Sequence, residues 1–255
     1  MYIDTHTHLQ FDSYDEDREL VIQRAIENDI AAIITIGTDV TSSRQSVHLA
    51  DKYASVYAAV GIHPNDCNDV SDKDYDEIKA MAEHEKVVAI GEVGLDYHHM
   101  DAPKEVQDDA FTRQIQIAKD MNLPLIIHNR DSHEDLYDLL VRENAADAGG
   151  VLHSFTGEES FLDNILKLDF HISFTGNITY KKSEAGPLIK KTPLERLLLE
   201  TDSPFLTPMP LRGKRNEPAF VIHTAKKVAE LLELSVEEVG SVTTENADRL
   251  FKLNL

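Results

Sequence analysis

Tyr2-Ile-Asp-Thr-His6-Thr-His8, near the start of a 255-residue chain, joins a short apolar run to two histidines spaced two apart. In an extended segment residues i and i+2 leave the backbone on the same side, so both imidazoles can face one cation. The arrangement recurs outward along the chain: Val87-Val-Ala-Ile-Gly91 leads to Glu92, Leu125-Ile-Ile127 to His128, Gly150-Val-Leu152 to His153, and Leu197-Leu-Leu-Glu-Thr201 to Asp202. Taken singly, each group has a plainer reading, such as a hydrogen-bonded packing histidine or an aspartate capping a helix. Taken together, metal-competent groups at the same place in a repeating unit need one geometric cause. A barrel whose strand ends all open into one mouth supplies it.

The apolar runs alternate regularly with longer stretches of helical periodicity. Eight strands are predicted, at 2–4, 32–36, 56–59, 87–90, 125–127, 150–152, 170–173 and 197–199. Helices are expected at 15–28, 42–53, 72–85, 104–121, 132–144, 159–168 and 185–191, with a further helix near 219–233 and two short helical segments near 235–251. Ser235 with Glu238 three residues on reads as a capping box. Right-handed parallel βα units build either an open doubly wound sheet or a closed barrel. Ligands after strands one, four, five, six and eight favour closure, because in an open sheet those strand ends would lie too far apart to converge. The expectation is an α/β protein, a (β/α)8 TIM barrel with its metal site at the C-terminal ends of the strands. No linker or low-complexity tract interrupts the chain, so residues 1–255 read as one domain.

No window approaches the roughly 18 consecutive apolar residues of a membrane span, and the first residues lack the pattern of a signal peptide. With one cysteine, Cys67, an internal disulfide is ruled out; a reducing, cytoplasmic location is expected. Forty-six acidic against twenty-five basic residues leave a formal charge of −21, the wrong sign for extensive wrapping of nucleic acid. Any phosphate ligand must therefore be met locally. Arg130, Arg212, Lys214 and Arg215, with Lys181 and Lys182, fall in the segments that would form the barrel mouth and are the candidate phosphate contacts. Tyr97, Phe155 and Phe205 follow strands four, six and eight, where aromatic faces can stack on unpaired bases or pack the rim.

Four histidines and two carboxylates suit two divalent ions with mixed nitrogen and oxygen ligation. Such a pair can activate a water and stabilise a leaving oxygen, which is hydrolysis without a covalent intermediate.

Asp4-Thr-His6-Thr-His8, Val60-Gly-Ile-His63-Pro64, Gly91-Glu92-Val-Gly-Leu-Asp96-Tyr97, Ile127-His128-Asn-Arg130-Asp131, His153-Ser-Phe-Thr-Gly157, Glu200-Thr-Asp202-Ser-Pro204 and Arg212-Gly-Lys-Arg-Asn-Glu-Pro218 occur in that order. The series resembles the successive motifs of the TatD family of metal-dependent hydrolases, within the amidohydrolase superfamily, over residues 2–251. The resemblance implies a deoxyribonuclease directed at single-stranded DNA or DNA 3′ ends, with magnesium as the working ion and manganese or zinc as substitutes. It implies one ion on His6, His8, Glu92 and Asp202 and a second on Glu92, His128 and His153, with Glu92 bridging. Asp202 would take a proton from the attacking water, and His63 would orient the substrate phosphate. Asp96 and Glu200 become candidates for orienting the ligands. Cys67 is read as an ordinary free thiol.

Three other readings compete. The same ions and activated water would serve a carboxylic ester or amide hydrolase. A histidinol-phosphatase-like protein also opens with HxH, but His98-His99 has the wrong spacing for its later histidines. A non-catalytic metal-dependent binding protein is the third. No membrane and no obligate protein partner are expected.

Overall fold

A computed structural model describes all residues, 1–255. Eight parallel strands, β1 (Tyr2–Thr7), β2 (Ile30–Ile36), β3 (Val56–Val60), β4 (Val87–Asp96), β5 (Leu125–Arg130), β6 (Gly150–Leu152), β7 (His171–Phe174) and β8 (Leu197–Leu199), pair in sequence order. Between them run α1 (Arg18–Glu27), α2 (Val40–Lys52), α3 (Asp72–Met81), α4 (Lys104–Met121), α5 (His133–Arg142), α6 (Glu159–Lys167) and α7 (Gly186–Lys191), and α8 (Val221–Leu232) and α9 (Val236–Phe251) follow β8. The architecture is a (β/α)8 barrel. No helix is long and apolar enough to cross a membrane.

Two differences from the sequence reading stand out. Residues 236–251 form one helix, not two short segments: Gly240 does not break it, because α9 packs so tightly there that a Cβ would lie 2.7 Å from the Tyr2 ring. In addition, β1, β4 and β5 run past their apolar stretches to Thr7, Asp96 and Arg130. His6, Glu92 and His128 therefore lie within strands. Apolar runs under-report strand length at a barrel mouth, where pairing continues while the inward side chains turn polar.

The larger core lies between the strands and the helical ring. A second cluster joins barrel residues, among them Ile3, Ile34, Ala59, Ile126 and Leu198, to Ala247, Phe251 and Leu253 at the end of the chain. The end of α9 thus plugs the barrel floor.

The seam between β8 and β1 is built differently from the other seven pairings. One isolated bridge joins Thr7 to Ser203. Side chains do the rest: Thr5 Oγ1 donates to the Leu199 carbonyl at 3.0 Å, and buried Asp4 accepts from the Thr201 N–H at 2.8 Å and its hydroxyl at 2.6 Å. Burial raises the Asp4 carboxyl well above its usual range, partly offset by the two bonds from Thr201.

Candidate metal centre

The backbone fixes the site residues before their side chains meet. The His8 N–H donates to Ser203 O at 2.8 Å, Asp202 N–H to His6 O at 2.9 Å, His63 N–H to Thr38 O at 2.8 Å, Glu92 N–H to Gly37 O at 2.9 Å and His153 N–H to Ile127 O at 3.0 Å. Each is anchored to another strand or the loop that follows it, with Glu92 reaching past β3 to the residue after β2. Gly94 lets β4 and β5 approach: its φ is +137°, and a Cβ would fall 2.0 Å from the His128 carbonyl oxygen. Asp202 and Ser154 sit at φ +54° and +45°, left-handed conformations uncommon for residues other than glycine.

His6, His8, Glu92, His128, His153 and Asp202 converge on one point at the floor of the mouth. Glu92, 4% exposed, divides its oxygens between two groups of imidazoles. Its Oε2 lies 3.4 Å from His6 Nε2 and 3.6 Å from His8 Nε2. Its Oε1 lies 2.9 Å from both His128 Nδ1 and His153 Nε2, and 3.5 Å from His63 Nε2. Asp202 Oδ1 faces His6 and His8 at 3.8 and 3.6 Å. Three overlapping groups, His6–His8–Glu92, His6–His153–Asp202 and His63–Glu92–His128, have the mutual spacing to hold an ion.

Carboxylates and imidazoles in the cluster shift one another's protonation. Burial would raise the Glu92 carboxyl, yet the surrounding imidazoles of His153, His63 and His6 hold it well below its usual range. Burial would lower His153, yet the Glu92 and Glu200 carboxylates push it well above. His6 is lowered by burial and by His153. His6 Nε2 and His8 Nε2 stand 3.3 Å apart, a contact that needs a proton on one of them or a cation between the lone pairs.

Neighbouring groups select which ring nitrogen is free. His8 Nδ1 lies 3.0 Å from the Ile36 carbonyl, which can only accept, so Nδ1 carries the proton and Nε2 keeps its lone pair. The Asp96 carboxylate does the same from the other side of His128, 3.2 Å from Nε2, leaving Nδ1 toward Glu92. Asp96 is itself held by the Asn65 amide at 3.1 Å, the N–H groups of His98 and His99 at 2.9 Å, and the exposed His99 ring at 2.9 Å. Burial opposes ionisation of Asp96, but His128 and these donors hold its carboxyl far below the usual range. Glu200 accepts the Ser154 N–H at 2.5 Å and faces His153 Nδ1 at 3.6 Å, too far for a hydrogen bond. His63 differs. Its Nδ1 accepts the Asn65 N–H at 3.1 Å, so in the neutral ring, which burial favours, Nε2 carries the proton.

Not every candidate joins the mouth. Arg215 is bound to the Asp17 carboxylate at 2.7 Å and the Ser13 carbonyl at 2.5 Å, and it lies over the Tyr14 ring. It is fixed to the loop before α1 and is not a free phosphate donor. Arg130, Lys181, Lys182, Arg212 and Lys214 are exposed, and none has a carboxylate oxygen within 4.0 Å. Arg212 rests over Tyr180, 4.6 Å from the ring centre. Phe155 is 5% exposed and stacks on Phe161, which makes it core; the Tyr97 ring is covered by Lys104 Nζ at 3.7 Å. Cys67 is buried, its thiol donating to the Pro64 carbonyl and pushed up to about 11 by burial.

Two contributors went unread in the sequence. Phe11 stacks on His8 with ring centres 4.7 Å apart, and Asn65 links His63 to Asp96. Their short spacing, three residues after His8 and two after His63, is the only signal the sequence carries.

Fold and site together define a metal-dependent hydrolase built on a (β/α)8 barrel. Residues 3–252 match the family model described as TatD related DNase. The chain is 46% identical over 255 residues to the uncharacterized metal-dependent hydrolase YabD of Bacillus subtilis, with 100% of both chains covered. It is 34% identical over 257 residues to the 3′-5′ ssDNA/RNA exonuclease TatD of Pectobacterium parmentieri, covering 98% of this chain and 99% of that protein. Among solved structures it is similar to the TatD homolog YJJV of Escherichia coli, with a TM-score of 0.92, 32% identity and 98% of each chain covered. The chain belongs to the TatD family of metal-dependent hydrolases.

Proposed function

We propose that the protein is a divalent-metal-dependent nuclease that removes nucleotides from the 3′ end of single-stranded DNA. The observation that carries this reading is the division of Glu92 between two sets of imidazoles, beneath a mouth whose exposed cations lack carboxylate partners. The exonuclease name of the Pectobacterium parmentieri relative supports the same substrate.

His6, His8, Glu92 and Asp202 would hold one ion and Glu92, His128 and His153 a second. The mixed nitrogen and oxygen donors fit magnesium, manganese or zinc. Bound there, the ions supply charge neutralisation at the phosphodiester and a lowered pKa for the attacking water. Glu92 keeps the two halves of the site in register. Asp202 takes the proton from the attacking water. Asp96 fixes the ring of His128, and Glu200 faces the ring of His153 while holding the Ser154 backbone beside it. His63, with its proton on Nε2, donates to a non-bridging phosphate oxygen, while Arg130, Arg212, Lys214, Lys181 and Lys182 hold the adjoining backbone. A protein of this kind works in the cytoplasm and needs no membrane or obligate partner.

Incubating the protein and Mg2+ or Mn2+ with end-labelled DNA and RNA oligonucleotides, a simple phosphodiester and a carboxylic ester tests this directly. Progressive shortening of single-stranded DNA from its 3′ end is expected. Hydrolysis of the carboxylic ester with every oligonucleotide left intact would overturn it.

A further inference from the structure

The mouth of the barrel is chemically two-sided. Outside β4, β5 and β6 lies a polar groove of about 740 Å3 whose lining includes Asp131, Glu134, Asp135, Asp138 and Glu158. Its one lysine, Lys104, is already engaged, 3.5 Å from Asp135 and over the Tyr97 ring. On this side only Arg130, at the end of β5, offers a polyanion a cation without an acidic partner. Across the mouth, the loops after β7 and β8 carry Lys181, Lys182, Arg212 and Lys214 without acidic partners. A negatively charged strand is therefore steered over the β7–β8 side.

On that side stands Phe205, three residues past Asp202 and 53% exposed. A single exposed phenylalanine needs no explanation on its own. Its fixed position does. Its N–H donates to Asp202 O at 2.9 Å, and its carbonyl accepts from the side chain of Asn216 at 2.6 Å. Asn216 is fully buried and also ties down Thr201 O at 2.9 Å and Pro204 O at 3.1 Å. The ring centre of Phe205 lies 6.3 Å from that of His8 and 6.2 Å from Phe11. A rigid backbone thus holds a bare aromatic ring beside the ligand cluster, on the side of the mouth whose loops carry the unpaired cations.

We propose that Phe205 is the platform on which the unpaired base next to the scissile phosphate stacks, with the strand entering over the β7–β8 side. Because every base has a π-face, such a platform accepts any sequence, but it requires the base to be unpaired. The platform makes single-strandedness a property of the protein surface and not of the metal chemistry. This inference rests on the nuclease reading.

The test compares wild type, Phe205→Ala and Phe205→Trp on two substrates: a single-stranded DNA oligonucleotide, and the same oligonucleotide with an abasic 3′-terminal nucleotide. Initial rates of first-nucleotide release are measured with Mn2+, and circular dichroism checks the fold. Phe205→Ala should raise KM for the intact end about tenfold or more, the size of one base–aromatic stack, with little change in kcat. Phe205→Trp should stay within about twofold of wild type. On the abasic end, the difference between Phe205→Ala and wild type should disappear. An unchanged KM for Phe205→Ala on the intact end, or an equal rise on both substrates, would overturn the platform while leaving the nuclease reading intact. A wild-type protein that releases nucleotide from neither substrate would remove both.

Discussion

Glu92→Gln is the sharpest perturbation available, because it keeps the shape of the side chain and deletes one charge from the centre of the site. The carboxylate faces five imidazole nitrogens at 2.9 to 3.6 Å. Two unit charges about 4 Å apart attract by roughly 4 kcal/mol at an effective dielectric near 20, and a divalent partner roughly doubles this. Even the smaller figure is about three decades in affinity. The metal-free protein should tolerate the change. With the anion gone, His128 and His153 lose one of the carboxylates that raise them and keep Asp96 and Glu200, respectively, beside them. Calorimetric titration with Mn2+ should therefore show binding at least about a thousandfold weaker than wild type. The metal-free variant should keep a native circular dichroism spectrum, and turnover should be lost. Mn2+ binding within tenfold of wild type would refute the central place given to Glu92, and full turnover would place the chemistry elsewhere.

Other outcomes follow from single residues. Phe251, 2% exposed in the barrel floor, should cost about 3–5 kcal/mol when changed to Ala, lowering the melting temperature of the metal-free protein by about 6–20 °C. Burial, reinforced by Arg196 and Arg249, lowers His171 to about 4. The folded state thus resists a proton that the unfolded chain accepts below about pH 6.5. The stability held by neutral His171 is complete above pH 6.5 and declines as pH falls to 4, by about 3 kcal/mol in all; urea unfolding of wild type against His171→Leu should show that difference in slope. Replacing Arg212 and Lys214 together by Ala should reduce the steepness of log Kd against log salt for single-stranded DNA by about 1.4. Arg215→Ala should leave that slope unchanged and lower thermal stability instead, because its guanidinium is bound to Asp17.

Much of this molecule could be read from the chain because a barrel repeats one rule. Each strand ends at the same rim, so His6, Glu92, His128, His153 and Asp202 could be placed together from position alone. What escaped reading has a different cause. Phe11 reaches the site through stacking on His8, and Asn65 through bonds to His63 and Asp96. Both depend on loop conformation, which apolar periodicity does not encode. Arg215 was misread for the same reason: its neighbours Arg212 and Lys214 are exposed, but only the folded loop reveals Asp17 beside it. Phe155 and Phe205 each follow a strand and look alike in sequence, yet one packs on Phe161 and the other faces outward.

The seam between β8 and β1 has a bearing on how the chain reaches this state. Seven strand pairings join sequence neighbours, whereas the eighth must bring Asp4 to Thr201 across 197 residues. It carries one backbone bridge and depends on threonine, serine and aspartate side chains. His6 and His8 lie on one lip of that closure and Asp202 on the other. A cation held by all three would act as a clasp between the first strand made and the last. Ring closure and readiness for chemistry would then be the same event, and an unfinished barrel would lack the means to cut.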